Sequence, residues 1–323
     1  MTLYTNDVTD PRFNLASEEY LIDNLPGDAV MLWRNEPSVI IGRSQNAYAE
    51  IDRDFIETHG IKVVRRLSGG GAVFHDLGNV NYTFIVDEGK DGNALDFGRF
   101  IAPVIEALAE LGIDAEMSGR NDIVVGGVKI SGTAQCHRNG RLLHHGTLLY
   151  SADLGRLAGA LRVNEEKLKS KGVASVRSRV GNLRELCGLE LDVTEFMAHL
   201  QRSLAASAQE TVPLTGRHAE AIRRLAEEKY GTWEWNWGES RSFGRTRRHY
   251  HPYGLVEVGL TAERGVISAC SITGDFFGLR EIGELCEALI GLRLEREPVL
   301  AALENIGDYI SGAKPEDIAA LII

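Results

Sequence analysis

The sequence predicts an α+β protein of two unequal units, and three observations carry that prediction. Short apolar runs of strand character alternate with segments of helical periodicity through the first two thirds of the 323 residues. Hydrophobic residues make up 44% of the chain, enough to fill a core in each of about two domains. After Trp233-Glu234-Trp235-Asn236-Trp237-Gly238 the composition shifts to a basic stretch with serine and glycine. That stretch reads as a linker over 241–248, joining a main unit over 1–240 to a smaller one over 249–323.

In chain order, Phe13 to Ile22 places Leu15, Glu18, Glu19 and Ile22 at helical spacing, and Val30 to Trp33 and Val39 to Gly42 read as strands. Lys62 to Arg66, Asn79 to Val86 and both sides of Gly126-Gly127 are further strands. Phe97 to Leu111 and Val193 to Gln209 carry apolar residues three or four apart and are expected as amphipathic helices. In the smaller unit, Leu255 to Thr261 and Val266 to Ile272 read as strands. Helices are expected within Leu279 to Ile290, over Glu297 to Leu303 and after Pro315.

A formal net charge of −11 argues against nucleic acid as a partner, because phosphate-backbone binders carry a basic excess. Cys136, Cys187, Cys270 and Cys286 are scattered with no CxxC pair, which indicates neither structural zinc nor a disulfide framework and fits a reducing cytoplasm. The first residues lack the basic start and apolar core of a signal peptide, and no apolar run approaches the roughly 18 residues of a membrane span.

Chemistry concentrates in four stretches. In Arg65-Arg66-Leu67-Ser68-Gly69-Gly70-Gly71-Ala72-Val73-Phe74-His75-Asp76, consecutive glycines let a ligand approach the backbone and let amides point at an anion. The preceding arginines offer planar donor sets for phosphate or carboxylate. The run follows a strand, and it is neither a P-loop nor a dinucleotide fingerprint, so a nucleotide would be held by another fold. In the second stretch, Gly126-Gly127 signals a type I′ hairpin. The implied register pairs Val125 with Val128, Val124 with Lys129 and Ile123 with Ile130, so Lys129 shares a face with Ser131 and lies diagonal to Asp122. That pair is either a held catalytic cation or an ordinary exposed ion pair.

In the third stretch, His144 and His145 are adjacent on a strand and point to opposite faces. They are not a metal pair; His145, beside Gly146, lines a pocket or is a satisfied core histidine. The fourth, Lys167 to Asn182, gathers Lys171, Arg177 and Arg179 around Gly172. It reads either as a solvated charged face or as a loop able to close on phosphates.

Together with Phe13-Asn14-Leu15-Ala16, Leu32-Trp33-Arg34-Asn35 and Ile41-Gly42-Arg43-Ser44-Gln45-Asn46, these motifs, in this order, resemble the lipoate-protein ligases that have an added C-terminal domain. The resemblance implies a biotin/lipoate-protein ligase-like catalytic domain of mixed sheets with packed helices, plus a small α/β accessory domain. It implies ATP contacts at Arg66, Gly71, Ala72, Val73 and Phe74, and Lys129 touching both substrates. It also implies lipoate contacts at Arg66, Gly70, Gly71, His75, His145 and Trp33, and an adenylate-covering loop with Lys171, Gly172, Arg177 and Arg179. Leu15 and Val73 are further candidates for the apolar slot, and each slot candidate reads equally as core.

The expected reaction forms lipoyl-AMP from lipoate and ATP, with Mg²⁺ on the phosphates, and then acylates a lysine of an acceptor. Lys129 would stand between the two anions, and Asp122 is the candidate helper in transfer. Expected acceptors are lipoyl domains of 2-oxoacid dehydrogenase E2 subunits and the glycine cleavage H protein, and the protein is expected as a monomer. The basic stretch Arg241 to Arg248 either steers acidic acceptors or is a solvated linker. Two rivals remain: an octanoyl or lipoyl amidotransferase on the same fold, for which Cys136 would have to be a reactive thiol, and a non-catalytic lipoate-binding protein.

Overall fold

The computed structural model describes residues 1–88, 96–162, 180–206, 208–238 and 243–323. Among them fourteen strands form three sheets. In chain order these are β1 (Thr2–Thr5), β2 (Ala29–Trp33), β3 (Ser38–Ile41), β4 (Lys62–Arg65), β5 (Val73–His75), β6 (Asn79–Asp87) and β7 (Ala115–Ser118). They continue with β8 (Asp122–Val125), β9 (Val128–Arg138), β10 (Arg141–Leu149), β11 (Glu210–Pro213), β12 (Arg245–His251), β13 (Gly254–Glu263) and β14 (Val266–Gly274). The large sheet has the order β11-β1-β2-β6-β10-β9-β8-β7, parallel from β11 to β2 and antiparallel beyond. A small sheet β4-β3-β5 stands beside it, and β12-β13-β14 forms an antiparallel sheet of its own.

Each face of the large sheet is covered, as its near-continuous burial requires. Gly98–Ala109 and Val193–Leu204 cover one face with Phe100, Val104, Phe196 and Leu200. On the other face lies Pro11–Asn24, started by the Asp10 side chain accepting from the Arg12 amide and by proline at the first position. It packs beside Gly216–Leu225, which continues as a π-helical turn over Ala226–Tyr230. Because this helix is covered nearly all round, its polar residues Asn14, Glu18 and Glu19 are buried along with Leu15 and Ile22. Glu19 accordingly has partners, taking hydrogen bonds of 2.7 Å from both Lys229 and Tyr230.

The smaller unit has its own core, in which Val256, Val258 and Ile272 of the sheet meet Leu285, Val299 and Ile318 of the helices Ile282–Leu289, Arg296–Ala302 and Pro315–Ile322. Two expectations change here. The second long helix ends at Leu204, not Gln209. The expected linker is already strand β12 from Arg245 onward, and alternate arginines on it have structural work: Arg245 and Arg247 donate to the carbonyls of Ile322 and Ala320 at the end of the last helix, where cations suit the dipole. None of the described helices is long and apolar enough to cross a membrane.

Candidate active site

The two consecutive arginines part company. Arg65 is fully buried and donates to the carbonyls of Gly42, Arg43 and Gln45 at 2.7–3.0 Å and to Trp235 and Asn236 at 2.9 and 3.0 Å. It ties the short helix Trp233–Trp237 to β4 and does not line the cavity. Arg66 turns the other way. Its guanidinium donates to Ser68 Oγ (3.0 Å) and to the carbonyls of Ile40 (3.2 Å), Gly69 (2.7 Å) and Gly71 (2.9 Å), so it curls the glycine loop around itself. Burial pushes its pKa down to about 10, against the opposing pull of Glu18. It is still a cation at neutral pH, with one of its five N–H groups unengaged.

These groups open on a cavity of about 770 Å³, inside the roughly 300–1,000 Å³ typical of small-molecule sites. Gly70, Gly71, Ala72 and Val73 form one wall, and Trp33, His75, His145, Leu15 and Ile40 another. Phe74, expected among the ATP contacts, turns away, its ring packed with Val39 and Ile41. Adjacent residues of β5 face opposite sides, so Val73 and His75 take the cavity and Phe74 the core.

The hairpin forms as its glycines require, with φ of 55° at Gly126 and 79° at Gly127. Val124 pairs with Lys129 as expected, but a bulge then pairs Ile123 with Ser131 instead of Ile130. Ser131 is thereby moved to the opposite face, beside buried Tyr82, and Gly132 comes under the lysine. Lys129 and Asp122 nevertheless meet, Nζ to Oδ1 at 2.6 Å, on the cavity wall with about a fifth of each side chain exposed. Val180 bridges to the backbone of Lys129, so the end of the fourth stretch runs beside this lysine. Lys171, Gly172, Arg177 and Arg179 themselves lie outside the described residues.

The two histidines divide as the strand geometry demands. His144 stacks on Phe100 in the core, with ring centroids 4.8 Å apart. His145 lines the cavity and is held at both nitrogens, Nδ1 by Glu18 at 2.9 Å and Nε2 by Ser68 Oγ at 2.6 Å. Glu18 also accepts from Thr83 (2.6 Å), which accepts from the Trp33 indole N–H (2.8 Å). His75 is held through Asn35 Nδ2 at 3.1 Å, and Asn35 by Asn14 at 2.9 Å.

Sequence reasoning missed the contribution of the smaller unit. Tyr253, Asp275, Phe277 and Ser311 line the cavity. The Gly70 amide donates to Phe276 O (3.1 Å), the Gly274 amide to Ser44 O (2.8 Å), and Arg43 pairs with Glu281 at 3.0 Å. Arg120, in the turn between β7 and β8, lies 4.5 Å over the Phe277 ring. Burial lowers its pKa and Asp275 raises it. No local pattern marks Phe277, because its value comes from a contact made across more than 200 residues of chain. Cys136, by contrast, is not in the cavity, and burial followed by the nearby Glu18 charge pushes its thiol well up. A thioester-forming cysteine needs the opposite environment.

Comparison with known proteins gives the family. Residues 10–205 match the family model of the lipoyl protein ligase A/B catalytic domain, and residues 240–322 that of the bacterial lipoate protein ligase C-terminus. The lipoate-protein ligase LplJ of Bacillus subtilis is 41% identical over 98% of both chains. Two solved structures are similar. A bi-partite lipoate protein ligase of Thermoplasma acidophilum, described with its E2 lipoyl domain, has a TM-score of 0.64 and 30% identity over 76% of this chain and 98% of that one. A lipoate-protein ligase A bound with ATP has a TM-score of 0.61 and 28% identity over 73% and 98%.

Proposed function

The chain belongs to the lipoate-protein ligase family, and on that premise we propose how its own residues carry the reaction. It is an ATP-dependent ligase that converts lipoate to lipoyl-AMP and passes the lipoyl group to a protein lysine. The observation that carries the site assignment is that two cations, Lys129 and Arg66, line one cavity together with the Gly70-Gly71 backbone.

In the first step a lipoate carboxylate oxygen attacks the α-phosphorus of ATP, and the bond from that phosphorus to pyrophosphate breaks. Two anions must meet, and the Lys129 ammonium offsets their repulsion while fixing their approach. Arg66 acts mainly by holding the glycine loop in shape, since four of its donors are engaged there. Gly71, Ala72 and Val73 supply backbone against the nucleotide. Mg²⁺ would neutralise the departing pyrophosphate. Asp122 and Asp275 are the carboxylates lining the cavity that could share such an ion with the phosphates.

In the second step the acceptor amine attacks the acyl carbon, the bond to the AMP oxygen breaks, and the amine must lose a proton. Asp122, already bonded to Lys129, is positioned to favour that loss. The acceptors are lipoyl domains of E2 subunits and the glycine cleavage H protein. The protein acts as a cytoplasmic monomer. The deciding experiment is mass spectrometry of a purified lipoyl domain incubated with the protein, lipoate and ATP. A lipoyl mass increment is expected that disappears when any one component is omitted, and an increment that persists without ATP would overturn the ligase assignment.

A further inference from the structure

The slot that should take the apolar arm of lipoate is not wholly apolar. Its strand-by-strand order places Lys129 on β9, Thr147 on β10 opposite Asn81 of β6, and Trp33 of β2 opposite Asn81, with His75 against the Trp33 ring at 5.9 Å between centroids. Three strand spacings, roughly 14 Å in all, therefore separate the strand of Lys129 from that of Trp33, and His75 lies beyond, against the Trp33 ring. A medium-chain acid bound through Lys129 points its distal end toward His75.

At that end nearly every polar hydrogen is engaged. The Trp33 N–H goes to Thr83, and both nitrogens of His145 are taken by Glu18 and Ser68. His75 differs: its Nε2 is buried, and among the described residues no group pairs with it. Its hydrogen-bonding sense can be read from its neighbours. Asn14 Nδ2 lies 2.9 Å and 3.1 Å from the carbonyls of Val8 and Arg34, which fixes it as the amide nitrogen, so the Asn35 atom 2.9 Å from it is the acceptor Oδ1, with two hydrogens shared among the three acceptors. Asn35 must then present Nδ2 to His75, so Nδ1 accepts and the ring proton sits on Nε2. Burial, and then the neighbouring Arg66, hold the ring neutral, with a pKa down to about 3. Asn81 also lines the slot, but its amide and that of Asn79 can turn over as a pair, so its sense is not fixed.

We propose that the Nε2–H of His75 donates a hydrogen bond to a sulfur of the lipoate ring, making His75 the residue that favours lipoate over a saturated straight-chain acid such as octanoate. The assignment rests on the ligase reading and deepens it. A cyclic disulfide offers sulfur lone pairs, weak acceptors but the only ones at that end of the molecule, whereas octanoate ends in a methyl group that leaves the N–H unpaired. A hydroxyl in that place would give a large discrimination, but a sulfur acceptor limits it to roughly tenfold.

The test compares lipoate with octanoate in ATP-dependent pyrophosphate release by the full chain, for wild type, His75→Phe and His75→Gln. Wild type is expected to show the higher kcat/KM for lipoate. His75→Phe should lose roughly tenfold with lipoate alone, with octanoate unchanged or improved. His75→Gln, which can again present an N–H, should recover part of the preference. Equal loss with both acids in His75→Phe, or an unchanged ratio in both variants, overturns the proposal. Should His75→Phe not fold, the ratio in His75→Gln decides it, through titration calorimetry of each acid: a reduced lipoate-to-octanoate affinity ratio supports the donor role, and an unchanged ratio overturns it. Wild-type protein releasing no pyrophosphate with either acid would instead sink the ligase reading itself.

Discussion

Replacing Lys129 by methionine keeps most of the side chain's length and removes its charge. The ammonium sits on the cavity wall 2.6 Å from Asp122, with Gly132 beneath it, where an added Cβ would crowd the ammonium at 3.1 Å. An anion about 4 Å from that ammonium, at an effective dielectric near 20, is stabilised by about 4 kcal/mol, and two anions approach here. If about that much is lost from the transition state, adenylation slows by roughly a thousandfold. Folding should suffer little, because both side chains keep some exposure and the orphaned Asp122 can hydrate, so the loss of a partly exposed pair is about 1 kcal/mol or less. The assay is lipoate-dependent pyrophosphate release, with thermal unfolding measured in parallel. A folded Lys129→Met enzyme within about tenfold of wild type would mean that the cation does not stand between the reacting anions, since that rate corresponds to only about 1.4 kcal/mol.

Three further outcomes are expected. Asp122→Asn should slow amide transfer from preformed lipoyl-adenylate by roughly a hundredfold or more, the range for a lost proton acceptor, and an unchanged transfer rate would remove Asp122 from the second step. Cys136→Ala should leave ATP-dependent lipoylation intact, as its thiol is buried away from the cavity; loss of activity in a folded variant would revive the thioester route. Stability should be greatest above about pH 6.5 and fall as the pH drops below it. His75 and His144 are held neutral by burial, so the unfolded chain takes up protons that the folded one refuses; the slope should be about 1.4 kcal/mol per pH unit for each. Unfolding temperatures that stay flat from about pH 7 to about pH 5, or a slope unaltered in His75→Gln, would contradict those buried neutral histidines.

The parts of this molecule that could be read from sequence are those fixed by neighbours along the chain. The hairpin at Gly126-Gly127, the opposed faces of His144 and His145 and the helix over Phe13 to Ile22 depend on turn chemistry and on strand or helix period alone. The bulge after Lys129 could not be read, because it is decided by which residues the large sheet can bury. Ser131 goes to the Tyr82 side, and the alternation expected from the hairpin breaks there. Arg65 and Arg66 look equivalent in local pattern, yet one is enclosed by five carbonyls and the other lines the cavity; only the family resemblance singled out Arg66. Strands β1 and β11 were missed for a similar reason: they pair in parallel across some 200 residues, and nothing local announces such a partner.

The glycine triplet gains a second explanation from the structure. Read from sequence, three glycines make room for a ligand. In the fold their constraints differ. A side chain at Gly69 would put its first carbon 2.4 Å from the Phe276 carbonyl, while Gly70 takes a φ of +87° and sits against the Phe277 ring. Gly71 lends its carbonyl to Arg66 and lines the cavity. Two of the three positions thus answer to the smaller unit and only the third solely to the site, so the loop that faces the nucleotide is also the surface on which Phe276 and Phe277 rest. Anything that moves this loop when anions enter must strain or release that contact, because the Gly70 amide that donates to Phe276 belongs to the same short run of backbone. The motif is therefore as much a joint between the two units as it is a phosphate cradle, and substitutions in it should be read with both functions in mind.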